Sequence, residues 1–131
     1  MEQLDVVVVG GGVVGLATAA HLANEHEVFV LEKRQYLGEE QSGRNSGVVH
    51  AGVYYEPASL KARLCVLGNR LLYKFCAEYG VPCARVGKFI VATSKQQISD
   101  LLSLYRRARK IGARGVHIVT PYELLATEPN I

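Results

Sequence analysis

The chain has 131 residues, 49% of them hydrophobic and 21% charged, and a formal net charge of +3. That is the composition of a globular chain with material for one modest core; it excludes a disordered polyelectrolyte, and so mild a charge gives no reason to expect a nucleic-acid partner. Cys65, Cys76 and Cys83 are odd in number and have no C-x-x-C spacing, which argues against a zinc site and for reduced thiols in a cytoplasmic setting, with at most peripheral membrane association.

The first apolar stretch runs from Val6 to Ala20. Acidic Glu2 and Asp5 precede it where a secretory signal carries positive charge, glycines interrupt it, and it is shorter than the roughly 20 residues that a membrane span requires. It reads better as the start of a β-α-β unit. Val6 to Val9 suit a strand buried on both faces, Gly10-Gly11-Gly12-Val13-Val14-Gly15 breaks it, Leu16 to Asn24 is helix-prone, and Val28 to Leu31 is a second strand ending on Glu32. Gly10, Gly12 and Gly15 meet the spacing G-x-G-x-x-G. The first glycine turns the chain out of the strand, the second lets a pyrophosphate approach bare backbone, and the third lets the helix pack close to the sheet. The helix start offers free N–H groups and a positive dipole end, and Glu32 can accept hydrogen bonds from a ribose diol. Together these predict an adenine dinucleotide site; the alternative is a tight turn in some other α/β domain.

Lys33 to Glu56 is long, polar and glycine-rich, where a nicotinamide-binding domain would proceed quickly to another helix and strand. Ser42, Arg44, Asn45, Ser46, Gly47 and Val48 lie in this segment. It either folds back over a cofactor, with hydroxyls, backbone N–H groups and the Arg44 charge facing phosphate, or is a surface loop. Gly47 to Tyr55 resembles a short buried strand, and His50 within it is either a satisfied core imidazole or a ring set against a cofactor.

Pro57 should open a helix whose Leu60, Leu64, Leu67, Leu71, Phe75 and Tyr79 form a core face, with Gly80 ending it and Pro82 preventing its resumption. Cys65 and Cys76 on this helix read as small buried hydrophobes. Gly87 to Thr93 is predicted as a strand. Ser94 and Gln97 should form a capping box for a helix with an inner face of Ile98, Leu101, Leu102, Tyr105 and Ala108, ending at Gly112. The basic run Arg106 to Lys110 is its solvated face. Val116 to Val119 is predicted as a strand, and Thr120-Pro121-Tyr122-Glu123 caps a last helix. A domain boundary falls near Val81 to Val86, giving a cofactor portion over 1–82 and the start of a substrate region over 83–131.

Several stretches together resemble the N-terminal part of L-2-hydroxyglutarate dehydrogenases and oxidases, in the D-amino-acid-oxidase-like (DAO) group of FAD-dependent oxidoreductases. They are Gly10 to Gly15, Glu32-Lys33, Ser42 to Tyr55, Leu60 to Cys65 and Gly87 to Ala92. The resemblance spans essentially the whole chain, and the Asn-Ser-Gly-Val-Val-His and Gly-Val-Tyr-Tyr stretches are its most specific parts. It implies an α/β fold, with a Rossmann-like FAD-binding β-α-β unit and the beginning of an α+β substrate domain, incomplete in this chain. It implies FAD, held by Gly10, Gly12, Val13, Val14, Gly15, Glu32, Lys33, Ser42, Arg44, Asn45, Ser46, Gly47 and Val48, and no metal. The reaction implied is oxidation of a small α-hydroxy acid by hydride transfer to the flavin, which then passes electrons to oxygen or a quinone. His50 lies near the place where some relatives, such as dimethylglycine dehydrogenases, attach flavin covalently, which makes it the catalytic candidate; a non-covalent flavin is expected here. Members of the family continue for several hundred residues. The chain is therefore expected to be a piece of an enzyme that self-associates or is completed by another chain. Oxidation of glycerol 3-phosphate or of amino acids is the sister activity to distinguish, and a non-catalytic dinucleotide-binding module is the alternative of another class.

Overall fold

Val6 to Val9 and Val28 to Leu31 do form the two strands that their β-branched content favours, in a computed structural model that describes residues 4–131. Glu2, named above as one of the acids preceding the apolar stretch, lies outside the described residues. The chain divides into two units, one ending at Val48 and one spanning Val49–Ile131.

In the first unit β1 (Val6–Val9), α1 (Val13–Leu22) and β2 (Val28–Leu31) make a β-α-β crossover. The strands are parallel, with Val6 opposite Val28 and Val9 opposite Leu31. Helix α1 begins at Val13, earlier than the predicted Leu16, because Gly12 is extended at φ −81° and ψ 174° and serves as the N-cap. Ala23 closes the helix through its N–H to the Ala19 carbonyl. Asp5 steadies the entry to β2 by accepting the Glu27 N–H at 3.2 Å. The expected burial of both faces of β1 is corrected. Exposure alternates along the strand, and Val9 is 84% exposed, since the sheet has two strands and helix α1 packs on it.

The second unit carries three helices, α2 (Leu60–Tyr79), α3 (Lys95–Lys110) and α4 (Pro121–Thr127). Helix α2 starts after Ser59 and not at Pro57. Ala58 sits at φ +68°, outside the helical region, and the Ser59 hydroxyl accepts the Ala62 N–H at 3.1 Å, so the serine is the N-cap. Gly80 at φ +66° ends α2 as predicted, with its N–H on the Cys76 carbonyl. At α3 the predicted Ser94–Gln97 capping box is replaced by a neighbouring arrangement. Ser94 is the N-cap without a side-chain bond, and Gln97 Oε1 accepts from the Thr93 N–H at 2.8 Å and hydroxyl at 3.0 Å. The Thr120–Glu123 capping box of α4 forms as predicted.

The strands predicted over Gly47 to Tyr55, Gly87 to Thr93 and Val116 to Val119 are absent; these segments have no regular secondary structure beyond a turn at 53–55. A strand exists only through a ladder with a neighbour, and these apolar runs find none among the described residues. The predicted core face of α2 is likewise corrected. Leu60, Leu64, Leu67, Leu71, Phe75 and Tyr79 are all exposed large hydrophobics, and Phe75 stacks on Tyr79 with ring centroids 4.5 Å apart. What α2 and α3 do bury is small: Ala62, Cys76 and Ala108. On α3, Ile98 and Leu102 of the predicted inner face remain exposed.

An uncovered stripe of this kind drives association, since burying each large apolar side chain is worth about 1.5–3 kcal/mol. The 131-residue chain expressed alone is expected to elute as an oligomer in size-exclusion chromatography with light scattering. Replacing Leu64 and Leu71 together by lysine should shift it towards the monomer; an unshifted elution volume would locate the association elsewhere.

Candidate functional site

The glycine turn is built by close backbone approach. A Cβ at Gly15 would lie 2.0 Å from the Gly10 carbonyl oxygen, so α1 can sit this tightly over the end of β1 only with glycine there. Gly10 adopts φ +107°, a region that side chains disfavour. Its N–H bonds to the Leu31 carbonyl at 2.7 Å, and the turn is thereby tied to the end of β2.

Glu32 is bound to this turn directly. Its Oε2 accepts the Gly11 N–H at 2.7 Å, and Oε1 accepts the Arg34 N–H at 2.9 Å. The Arg34 and Gly11 amides hold the carboxyl below its ordinary pKa, against an opposing contribution from desolvation. Gly11 is buried, and a Cβ there would strike Leu37 and the Glu32 side chain.

The polar segment after Glu32 does return to the turn. The Gly38 N–H bonds to the Gly11 carbonyl at 3.0 Å, and Ser42 Oγ accepts the N–H of Val13, the first residue of α1, at 2.8 Å. Both Lys33, at 3.3 Å, and Arg34, at 2.7 Å, pair with Glu40, so Lys33 is placed on the loop itself. Asn45 shapes the next bend: its amide donates to the Ser42 carbonyl and its Oδ1 accepts the Gly47 N–H at 2.7 Å, with Gly47 at φ +66°. Arg44, Ser46 and Val48 are exposed, as are Val13 and Val14 at the helix start. The first unit therefore brings Gly10, Gly12, Val13, Gly15, Glu32 and Ser42 together, with Asn45 and Gly47 behind Ser42.

These residues fit a diphosphate. Helix α1 has no acid in its first turn, so the positive end of its dipole is uncompensated and is worth about 0.3–1 kcal/mol to a nearby anion. Gly12 leaves its Cβ position vacant 3.1 Å from Ser42 Oγ. A hydroxyl that accepts from Val13 still has its own proton to donate to a phosphate oxygen. Sequence reasoning named Ser42 but not its bond to Val13, which spans 29 positions of sequence and leaves no periodic signal.

In the second unit His50 is exposed, which corrects the reading of a satisfied core imidazole. Its backbone is held instead: the His50 carbonyl accepts from Asn69 Nδ2 at 3.1 Å and from the Cys65 thiol at 3.6 Å. The following tyrosines carry cations. Lys61 lies 4.4 Å from the Tyr55 ring centroid and Lys88 5.0 Å from that of Tyr54, while Arg107 approaches the Tyr54 carbonyl at 3.5 Å.

Comparison with known proteins places the chain in a family. The profile of the family described as "FAD dependent oxidoreductase" (DAO) matches residues 5–131, and the chain belongs to that family. Curated relatives include the mitochondrial L-2-hydroxyglutarate dehydrogenases of Nematostella vectensis, 46% identical over 98% of this chain and 29% of the relative, and of Homo sapiens, 43% identical over 98% of this chain and 28% of the relative. Among solved structures, the dithionite-reduced, FAD-bound L-alpha-glycerophosphate oxidase of Mycoplasma pneumoniae superposes with a TM-score of 0.79 at 32% identity, over 98% of this chain and 35% of that one. The chain spans about a third of the length of these relatives.

The lowered pKa of Glu32 makes the turn pH-sensitive in a definite direction. Its contribution is complete above the ordinary carboxylate pKa, where folded and unfolded chains both carry the charge, and is lost as pH falls through the depressed folded value. Urea unfolding at pH steps from 7 downwards should therefore show the wild type losing stability across the acid range more steeply than Glu32→Gln. Parallel pH profiles would separate Glu32 from the stability of the turn.

Proposed function

We propose that the protein carrying this chain is an FAD-dependent dehydrogenase that oxidises L-2-hydroxyglutarate to 2-oxoglutarate. The observation that carries this reading is the similarity to L-2-hydroxyglutarate dehydrogenases, 41–46% identical across nearly the whole chain. Residues 1–82 are its cofactor portion, and 83–131 begin the substrate region.

Gly10, Gly12, Val13, Val14 and Gly15 hold the diphosphate of FAD. Glu32 takes the adenosine ribose, with Lys33 beside it, and Ser42, Arg44, Asn45, Ser46, Gly47 and Val48 continue along the cofactor. The flavin, when bound, accepts the C2 hydrogen of the hydroxy acid as a hydride. The hydroxyl proton must leave as the carbonyl forms. His50 is the group of this chain that takes it, at a ring nitrogen left without a hydrogen-bond partner among the described residues, and with no covalent bond to the cofactor. The acceptor for the cofactor's two electrons would be oxygen or a quinone. The sister reading, oxidation of glycerol 3-phosphate, is favoured by the likeness to a glycerophosphate oxidase.

Anaerobic mixing of the FAD-loaded full-length protein with each substrate decides between them. Bleaching of the flavin band by L-2-hydroxyglutarate, and not by its D-enantiomer or by glycerol 3-phosphate, is expected. Bleaching by glycerol 3-phosphate alone would transfer the assignment to the sister activity.

His50→Ala should slow reduction of the bound flavin by about 10²–10⁴-fold, the usual contribution of a general base, and leave FAD content unchanged. Acid precipitation should release free flavin from the wild type. Stopped-flow rates equal to the wild type would remove His50 from the chemistry.

A further inference from the structure

We infer that Asn69, on α2, is a positioning residue for His50, and that it acts through the His50 carbonyl; this rests on the reading of His50 given above. The His50 ring is exposed and has no hydrogen-bond partner of its own among the described residues. A side chain in that situation takes its direction from the backbone that carries it. That backbone is fixed on one side by α2, where Asn69 Nδ2 donates to the His50 carbonyl at 3.1 Å and the Cys65 thiol approaches the same oxygen at 3.6 Å. Positions 65 and 69 are one helical turn apart and so share a face.

The segment beyond His50 is pinned by the same helix. Gly52 is buried at φ +80°, and a Cβ there would lie 3.4 Å from Cys65 Cβ, 3.6 Å from the Ala62 carbonyl and 3.5 Å from Ile111 Cδ1. Tyr55 closes the turn through its N–H to the Gly52 carbonyl at 2.9 Å. From Gly52 to Tyr55 the backbone is thus held by packing and turn geometry, whereas at His50 itself Asn69 supplies the shortest bond. The thiol is a weak donor and cannot replace the amide. Removing the Asn69 amide therefore frees the peptide that orients the imidazole and leaves the rest of the loop seated.

The test compares Asn69→Leu, His50→Ala and the double variant in the FAD-loaded full-length protein. Three quantities are read: FAD content, the visible spectrum of the bound flavin, and the rate of its anaerobic reduction against substrate concentration. Asn69→Leu is expected to lower the limiting reduction rate by about tenfold, the scale of one lost hydrogen bond, with FAD content and the half-saturating substrate concentration unchanged. Its flavin spectrum should shift in the same direction as that of His50→Ala. In the His50→Ala background the Asn69 change should have no further effect on rate or spectrum.

Should Asn69→Leu fail to load FAD, Asn69→Asp and Asn69→Gln read the same quantities. The aspartate, with an acceptor where the donor was, is expected to be impaired, and the glutamine to recover. Equal slowing by Asn69→Leu in both backgrounds, or a wild-type rate in Asn69→Leu while His50→Ala is slow, overturns the inference and leaves the role of His50 standing. Wild-type rate and spectrum in His50→Ala overturn both.

Discussion

The first unit depends on one close approach, that of the Gly15 backbone to the Gly10 carbonyl. With a clearance of 2.0 Å to where a Cβ would stand, the helix start can sit directly over the end of the first strand. Other parts of the unit then reach a single turn: the end of β2 through Leu31 and Glu32, the return segment through Gly38, and its continuation through Ser42. Each of these bonds satisfies a backbone group that would otherwise need water. The steric condition at Gly15 is thus prior to the electrostatic one. Only a helix seated this close presents its N-terminal amides at the strand ends, where a diphosphate is held in folds of this class.

A second constraint governs the other unit, and it is a shortage. What its helices bury is small, Ala62, Cys76 and Ala108, no two of the helices pack on each other among the described residues, and the loop at Gly52 lies where an added Cβ would meet both Cys65 and Ile111. Capping therefore carries more of the local order than packing does: Ser59 and Gly80 delimit α2, Gln97 braces the entry to α3, and a reciprocal Thr120–Glu123 pair starts α4. Each such device is worth about 0.5–2 kcal/mol, less than burial of one leucine can supply. The leucine stripe of α2 is the larger reservoir, and it is not drawn on among the described residues.

The parts legible in the sequence are those whose physics is local. The glycine motif, the Gly80 stop and the Thr120 cap each follow from residues within one turn of one another, and the β-α-β unit from two strands and a helix that are consecutive in the chain; all were readable in advance. The apolar runs at 47–55, 87–93 and 116–119 misled for a common reason: their composition suits strands, but strand formation is decided by a partner elsewhere in space. The same holds for the α2 stripe, whose periodicity announces that it can be buried and says nothing about what buries it. Ser42 on Val13 and Asn69 on His50 were invisible for a related reason, since a single long-range hydrogen bond imposes no pattern on its neighbours.

Glu32 shows how closely fold and function overlap in the first unit. The sequence marks it as a ribose ligand, but in the structure each of its oxygens already accepts a backbone N–H, from Gly11 and from Arg34. A carboxylate has about four lone-pair sites, so the two that remain are those free for a ribose diol. The carboxylate proposed to read a ribose is thus also the brace that fixes the glycine turn. The amides that lower its pKa keep it charged, and charge is what makes it a strong acceptor. An alanine at this position would remove the ligand and loosen the turn together, whereas Glu32→Gln keeps one oxygen on the turn and surrenders the charge. The comparison of those two variants, and not either alone, separates the architectural share of this residue from the share that belongs to the cofactor.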